Sequence, residues 1–224
     1  MGFKTAVPNR VFQHISILCT SVMLLGCQST YYAAMEKVGV HKRDILVERV
    51  EKGRDTQEET KKQFQSALNA FSSLTDFEGG ELEDKYNELS KVLERSEEKA
   101  DELHDRIKGI EDVSVALFRE WEAELEQYSS ERLRRSSEQQ LNATRERYKQ
   151  LIGAMHRAES KVEPVLQPLR DQVLYLKHNL NARAVAALRQ DLKDIRTDVS
   201  SLIRDLEEAV AEADRFISSM EQGS

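Results

Sequence analysis

Between Leu82 and Ile110 the residues on one side of the pattern recur at alternating steps of four and three. They are Leu82, Tyr86, Leu89, Leu93, Ser96, Ala100, Leu103, Ile107 and Ile110. A mean repeat of 3.5 residues keeps one face of an α-helix against a partner helix along its length. A strand, whose side chains alternate at every second residue, cannot use that spacing. The same rhythm runs from Leu141 through Thr144, Tyr148, Leu151, Met155, Ala158, Val162, Val165, Leu169, Val173, Leu176 and Leu180. It returns in Val185, Leu188, Leu192, Ile195, Val199, Leu202, Leu206, Ala209, Ala213, Phe216 and Met220. Outside these narrow stripes the chain is largely Glu, Asp, Lys and Arg, and 33% of all residues are charged. High charge alone suits a disordered chain, but a sustained period does not. The fold class expected is all-α: an elongated antiparallel coiled coil or long helical bundle of about four helical segments.

Breaks in the pattern divide the chain. A first helix is expected from about Ala33 to Leu74, with a seam of Val38, Ile45, Leu46 and Val50 that resumes at Phe64, Ala67, Phe71 and Leu74. Between these it thins at Gly53, Gln57 and Thr60, which predicts weak packing or a bend. Residues 76–80 include Gly79 and Gly80, whose backbone freedom suits a tight turn. From Val113 to Tyr128 the apolar stripe broadens through Val115, Leu117, Phe118, Trp121 and Leu125, as for a helix with more than one neighbour. Ser129-Ser130 and Ser136-Ser137 then leave two routes open. A serine can cap a new helix, yet without Gly or Pro the helix can equally continue. Pro164 and Pro168 predict a kink or fresh helix start near Glu163. Lys177 to Arg183 reads as a second sharp turn, with Asn179 in a left-handed conformation and Asn181 capping the last helix. If the chain turns at the serines, the segments make an up-down bundle. If it continues, residues 81–178 form one rod, with the first and last helices folded back along its halves and both chain ends near its middle. That meeting of the ends beside Trp121 favours the rod, which would lie along a membrane when anchored there.

The N-terminus carries an address. Lys4 and Arg10 precede an apolar run from Val11 to Leu25, and no acidic residue occurs before Glu36. The run falls short of the roughly 20 apolar residues needed to span a bilayer and reads as a secretory signal. Leu24-Leu25-Gly26-Cys27 resembles the lipobox of bacterial lipoproteins, in which the thiol is diacylated and the chain cut before it. Several acyl chains on one residue anchor a domain far more firmly than one. The organisation expected is a signal over residues 1–26, a lipidated tether over 27–34, a helical domain over 35–220 and a tail over 221–224. Gln28, where aspartate would favour retention at the inner membrane, points to the periplasmic face of the outer membrane. Without residues 1–26 the 33 basic residues fall to 31 against 40 acidic ones, a net charge of −9. Cys19 leaves with the signal and Cys27 is consumed by lipid, so no disulfide forms within one mature chain.

Chemical motifs are sparse. Asp101-x-x-His104 echoes half of a di-metal carboxylate site, which needs a matching Glu-x-x-His on a facing helix; none occurs, and no metal site is assigned. His41, His156 and His178 stand isolated in the sequence. No nucleophile triad, phosphate-binding loop or cysteine cluster is present, so no catalytic residue, small-molecule substrate or cofactor other than the lipid on Cys27 is expected. Residues 131–161 concentrate Arg132, Arg134, Arg135, Arg145, Arg147, Lys149, Arg157 and Lys161 against Glu131, Glu138, Glu146 and Glu159. This segment is either a basic surface for anionic headgroups, cell-wall polymer or an acidic partner, or a solvated face of paired charges. Lys177, His178 and Arg183 at the hairpin tip and the Trp121 patch are the other candidate interaction surfaces. Nucleic acid is excluded by the compartment.

Four stretches resemble a family of uncharacterised Gram-negative proteins, a domain of unknown function often carried as predicted lipoproteins. They are Lys42 to Val47, Phe64 to Leu68, Leu82 to Tyr86 and, most specifically, Asp171 to Arg183. The resemblance spans essentially the mature chain and implies an envelope lipoprotein without naming an activity. The function expected is a non-enzymatic coiled-coil scaffold or adaptor, anchored through Cys27 and meeting an envelope protein or a second copy of itself. The alternative is a cell-wall or anionic-lipid binder that uses residues 131–161.

Overall fold

A computed structural model describes residues 31–32, 35, 39–75 and 82–222, the side chains of residues 182–184 and 187 excepted. The signal expected over residues 1–26, Cys27 and the turn expected at 76–80 lie outside the described residues. The chain divides into two compact units, residues 1–45 and 46–224. Five helices account for most of what is described: α1 Lys42–Thr75, α2 Leu82–Leu125, α3 Glu131–Ser160, α4 Val162–His178 and α5 Ala182–Gln222. No strand occurs among the described residues.

In the first unit the Tyr31 and Tyr32 rings meet edge to face, with centroids 5.4 Å apart. Gly39 has φ +84°, a conformation that costs glycine little and other residues much. It forces a break between the helical residues 31–32 and 35 and α1, which starts at Lys42 instead of running on unbroken from near Ala33. Asp44 stabilises that start: its carboxylate accepts a hydrogen bond from the His41 backbone N–H at 3.3 Å. A third-position acid reaching back in this way satisfies one of the free donors at a helix N-terminus.

The second unit is a four-arm bundle, α3 and α4 together making the third arm. Its topology follows from which residues face one another. Arg49 reaches the Gly109 carbonyl, Glu59 pairs with Lys99, and Gln63 donates to Ser96 and to the Val92 carbonyl. Numbers rise on α1 as they fall on α2, so the two are antiparallel. The same inverse order links α2 to α3 through Glu122–Arg145 and Glu111–His156. It links α3 and α4 to α5 through Arg157–Glu208 and Lys161–Asp205. The ring closes between α1 and α5 through Arg54–Asp214, Lys61–Glu207 and an Arg189 side chain on the Thr75 carbonyl. This is an up-down-up-down bundle whose second arm, 44 residues, measures about 66 Å at 1.5 Å per residue.

The rod is thereby excluded. Helix α2 stops at Leu125, and the chain reverses through residues 126–130. Ser130 caps α3, its side-chain oxygen accepting from the Leu133 N–H, with φ −92° and ψ 111° at the cap. Phe118 and Tyr148, on opposite sides of this turn, stack edge to face at 5.4 Å. The fresh helix start expected near Glu163 falls at Val162. Pro164 then lies in the first turn of α4, where a missing backbone donor costs little. The hairpin between α4 and α5 departs from expectation in one detail. Asn179 has φ −134° and ψ 56°, and its side-chain N–H donates to the Tyr175 carbonyl, so no left-handed residue is needed.

The heptad seams line the core of this unit. Along α5, Val185, Leu188, Ile195, Val199, Leu202, Leu206, Ala209, Ala213, Phe216 and Met220 are all buried. Along α2, Val92 rather than Leu93 turns fully inward, and Val115 stays 57% exposed although it lies in the broadened stripe. Helix α1 runs unbroken through its thin stretch, with Gly53, Gln57 and Thr60 buried in line with Val50 and Phe64. Gly53 sits at a close approach: a Cβ would stand 2.8 Å from Ile110 Cδ1, the end of a side chain that would have to shift, and 3.6 Å from Met155 Cε.

Candidate interaction surfaces

The residues singled out in the sequence fall at different places on the bundle. Trp121 lies at the α2–α3 seam, half-buried, and its indole N–H donates to Ser137 Oγ at 2.8 Å. One turn earlier on α2, the Arg145 guanidinium lies 5.2 Å from the centre of the Phe118 ring and pairs with Glu122 at 2.7 Å. Burial raises the Tyr148 phenol pKa, with a hydrogen bond to Ser114 pulling the other way. The broad aromatic stripe therefore packs α2 on α3 within the chain.

The basic segment is largely matched by acid. Arg134 grips Glu131 through two bonds at 2.9 and 3.0 Å and lies 3.7 Å from Glu138. Arg135 also reaches Glu131, Lys149 meets Glu146, Arg157 meets Glu208 and Lys161 meets Asp205. Arg132 and Arg147 are exposed and form no ion pair among the described residues. Exposed pairs of this kind contribute little to stability, but they leave few cations free for an anionic ligand.

The hairpin tip between α4 and α5 is different. Lys177 and His178 are exposed and form no ion pair among the described residues. Beside them Leu174 is 62% exposed and Leu180 42%, which leaves two aliphatic side chains and Tyr175 open to a partner. The Arg183 side chain lies outside the described residues. This tip is at the end of the bundle marked by Thr75 and Arg189. The α2–α3 turn and the C-terminal turn of α5 lie towards the other end.

The histidines do not stand alone. His156 and Glu159, on one face of α3, meet His104 and Glu111 on α2: His104–Glu159 at 2.6 Å, His156–Glu159 at 2.9 Å and His156–Glu111 at 2.9 Å. The reading of His156 as isolated is corrected here. On α3 the order is His156-x-x-Glu159, and Glu111 rather than Asp101 joins His104 from α2. Even so, among the described residues no three His, Cys, Asp or Glu side chains are grouped to hold a metal ion. No helix among them is long and apolar enough to cross a membrane.

The profile of a family described as a protein of unknown function, DUF2959, matches residues 31–220. The chain belongs to the DUF2959 family. The match takes in all five helices, from the residues before Gly39 to Met220, so the DUF2959 unit includes both the tip and the histidine cluster. No curated protein and no solved structure matches the chain.

Proposed function

We propose that this DUF2959 protein is a non-enzymatic scaffold or adaptor of the bacterial envelope, lipid-anchored through Cys27 at the periplasmic face of the outer membrane. The observation that carries this reading is the Leu24-Leu25-Gly26-Cys27 lipobox behind a short signal run. The bundle supplies a rigid body, and its exposed Leu174, Tyr175, Lys177, His178 and Leu180 supply a docking point for an envelope protein. The orientation along the membrane that the rod implied falls with the rod.

The rival reading, a cell-wall or anionic-lipid binder using residues 131–161, loses weight from the ion pairs that occupy most of those cations. Cys27→Ala tests the anchor: acyl labelling should vanish and the precursor should stay uncleaved or mislocalised. Unchanged labelling and fractionation would remove the proposal. A photo-crosslinking residue at Leu174 should capture one defined envelope protein. If only a residue at Arg132 or Arg147 captures material, and that material is polymer or lipid, the rival reading takes over.

A further inference from the structure

The four-residue cluster between α2 and α3 makes a demand on its own protonation. Glu159 offers one carboxylate oxygen to His104 Nδ1 at 2.6 Å and the other to His156 Nδ1 at 2.9 Å. His156 Nε2 stands 2.9 Å from Glu111 Oε1. Both ring nitrogens of His156 therefore face carboxylate oxygens on two different helices. A neutral imidazole donates from one nitrogen and presents a lone pair at the other, whereas an ionised carboxylate only accepts. Two simultaneous contacts with carboxylates are satisfied when both nitrogens carry hydrogen, which is the imidazolium form.

We propose that His104, Glu159, His156 and Glu111 form a proton-operated clasp between α2 and α3, closed around a protonated His156 and loosened when that ring loses its proton. The charged groups around the ring are consistent with this use. Glu111 faces it from α2, where His104 meets the same Glu159 carboxylate and exposed Lys108 lies between the two in sequence. Glu159 faces it from α3 itself. The neighbouring cations Arg157 and Lys161 are drawn to Glu208 and Asp205 on α5, so they do not neutralise Glu111 or Glu159. Partial burial pushes the His156 pKa down, but the hydrogen bonds to Glu111 and Glu159 push it up and prevail.

The direction of the pH effect follows. A histidine whose pKa is raised by folding stabilises the fold fully below its unfolded value of about 6.5. That contribution is lost as the pH rises through the higher folded value. The clasp is thus closed in mild acid and open in mild alkali. His156 is 46% exposed and Glu111 44%, and solvent screening keeps such a contribution small. The device biases one helix pair without unfolding the bundle.

The test is a histidine NMR titration of the full chain in detergent from about pH 5 to 9, with amide exchange along α2 and α3 followed in parallel. The His156 midpoint should fall by about half a pH unit in Glu111→Gln and again in Glu159→Gln. Amides flanking residues 104–111 and 153–160, corrected for intrinsic exchange, should lose about fivefold protection between pH 6 and 8.5 in the parent chain. In His156→Gln they should lose none. An unmoved midpoint in both glutamate variants, or equal loss of protection in parent and His156→Gln, would overturn the clasp. So would a stoichiometric shift of the His156 signal on adding zinc alone, since the ring would then serve a metal.

Discussion

Gln57 is completely buried on the core face of α1, and among the described residues neither its amide nitrogen nor its amide oxygen has a hydrogen-bond partner. Its neighbour Thr60 is buried too but spends its hydroxyl on the Thr56 carbonyl at 2.7 Å. An orphaned buried amide costs about 1–3 kcal/mol of stability, whereas an apolar side chain of similar size carries no such penalty. Gln57→Leu is therefore expected to stabilise the bundle by about 1–3 kcal/mol, read as a higher urea midpoint at unchanged slope. A midpoint that stays or falls would mean that the amide has a partner in solution. In the sequence, the Gly53–Gln57–Thr60 stretch reads only as a gap in a seam. The period places these residues on the inner face, but it cannot tell whether a glycine is there for close approach. Only the 2.8 Å space between Gly53 and Ile110 shows that it is.

Two junctions differ in how legible they are at the level of elements, for a physical reason. The α2–α3 turn contains neither glycine nor proline, and its stop signal is a single capping serine that serves equally well inside a solvated helix face. Ser130→Ala removes the bond to the Leu133 N–H, which is long at 3.4 Å, and should cost about 0.5–1 kcal/mol in urea unfolding. Ser129→Ala is the control and should leave the midpoint in place. At the α3–α4 junction the prolines did announce a break, because a missing backbone donor is a local property. The structure adds that the break is a single residue, Lys161, whose ammonium then ties the junction to Asp205 at 2.6 Å and Ser201 at 2.9 Å. The heptad of α5 was legible almost residue by residue, since one narrow apolar stripe on a charged helix has one way to face a core.

For the bundle as a whole, the deciding contacts are those between α1 and α5. A rod would keep these helices on opposite halves, whereas the bundle closes its ring through Arg54–Asp214 at 3.1 Å and Lys61–Glu207 at 3.7 Å. A zero-length carbodiimide crosslinker should join Lys61 to Glu207 within one chain, and the linked peptide should survive dilution. Finding instead only Lys99–Glu59, which both arrangements allow, would restore the rod. The ring also brings His104, Glu111, His156 and Glu159 together from positions as many as 55 residues apart. No spacing rule could have joined them, because the contacts run between two helices whose relative register only the packing sets.

What the sequence by itself determined is that the chain is helical and most of the inner face of each helix, because a repeat of fours and threes is a property of one helix and is met locally. What only the tertiary structure decided is who faces whom. A heptad seam accepts any partner of matching period, so the reversal at residues 126–130, the order of the four arms and the pairing of His156 with two carboxylates were settled by the packing of the whole chain.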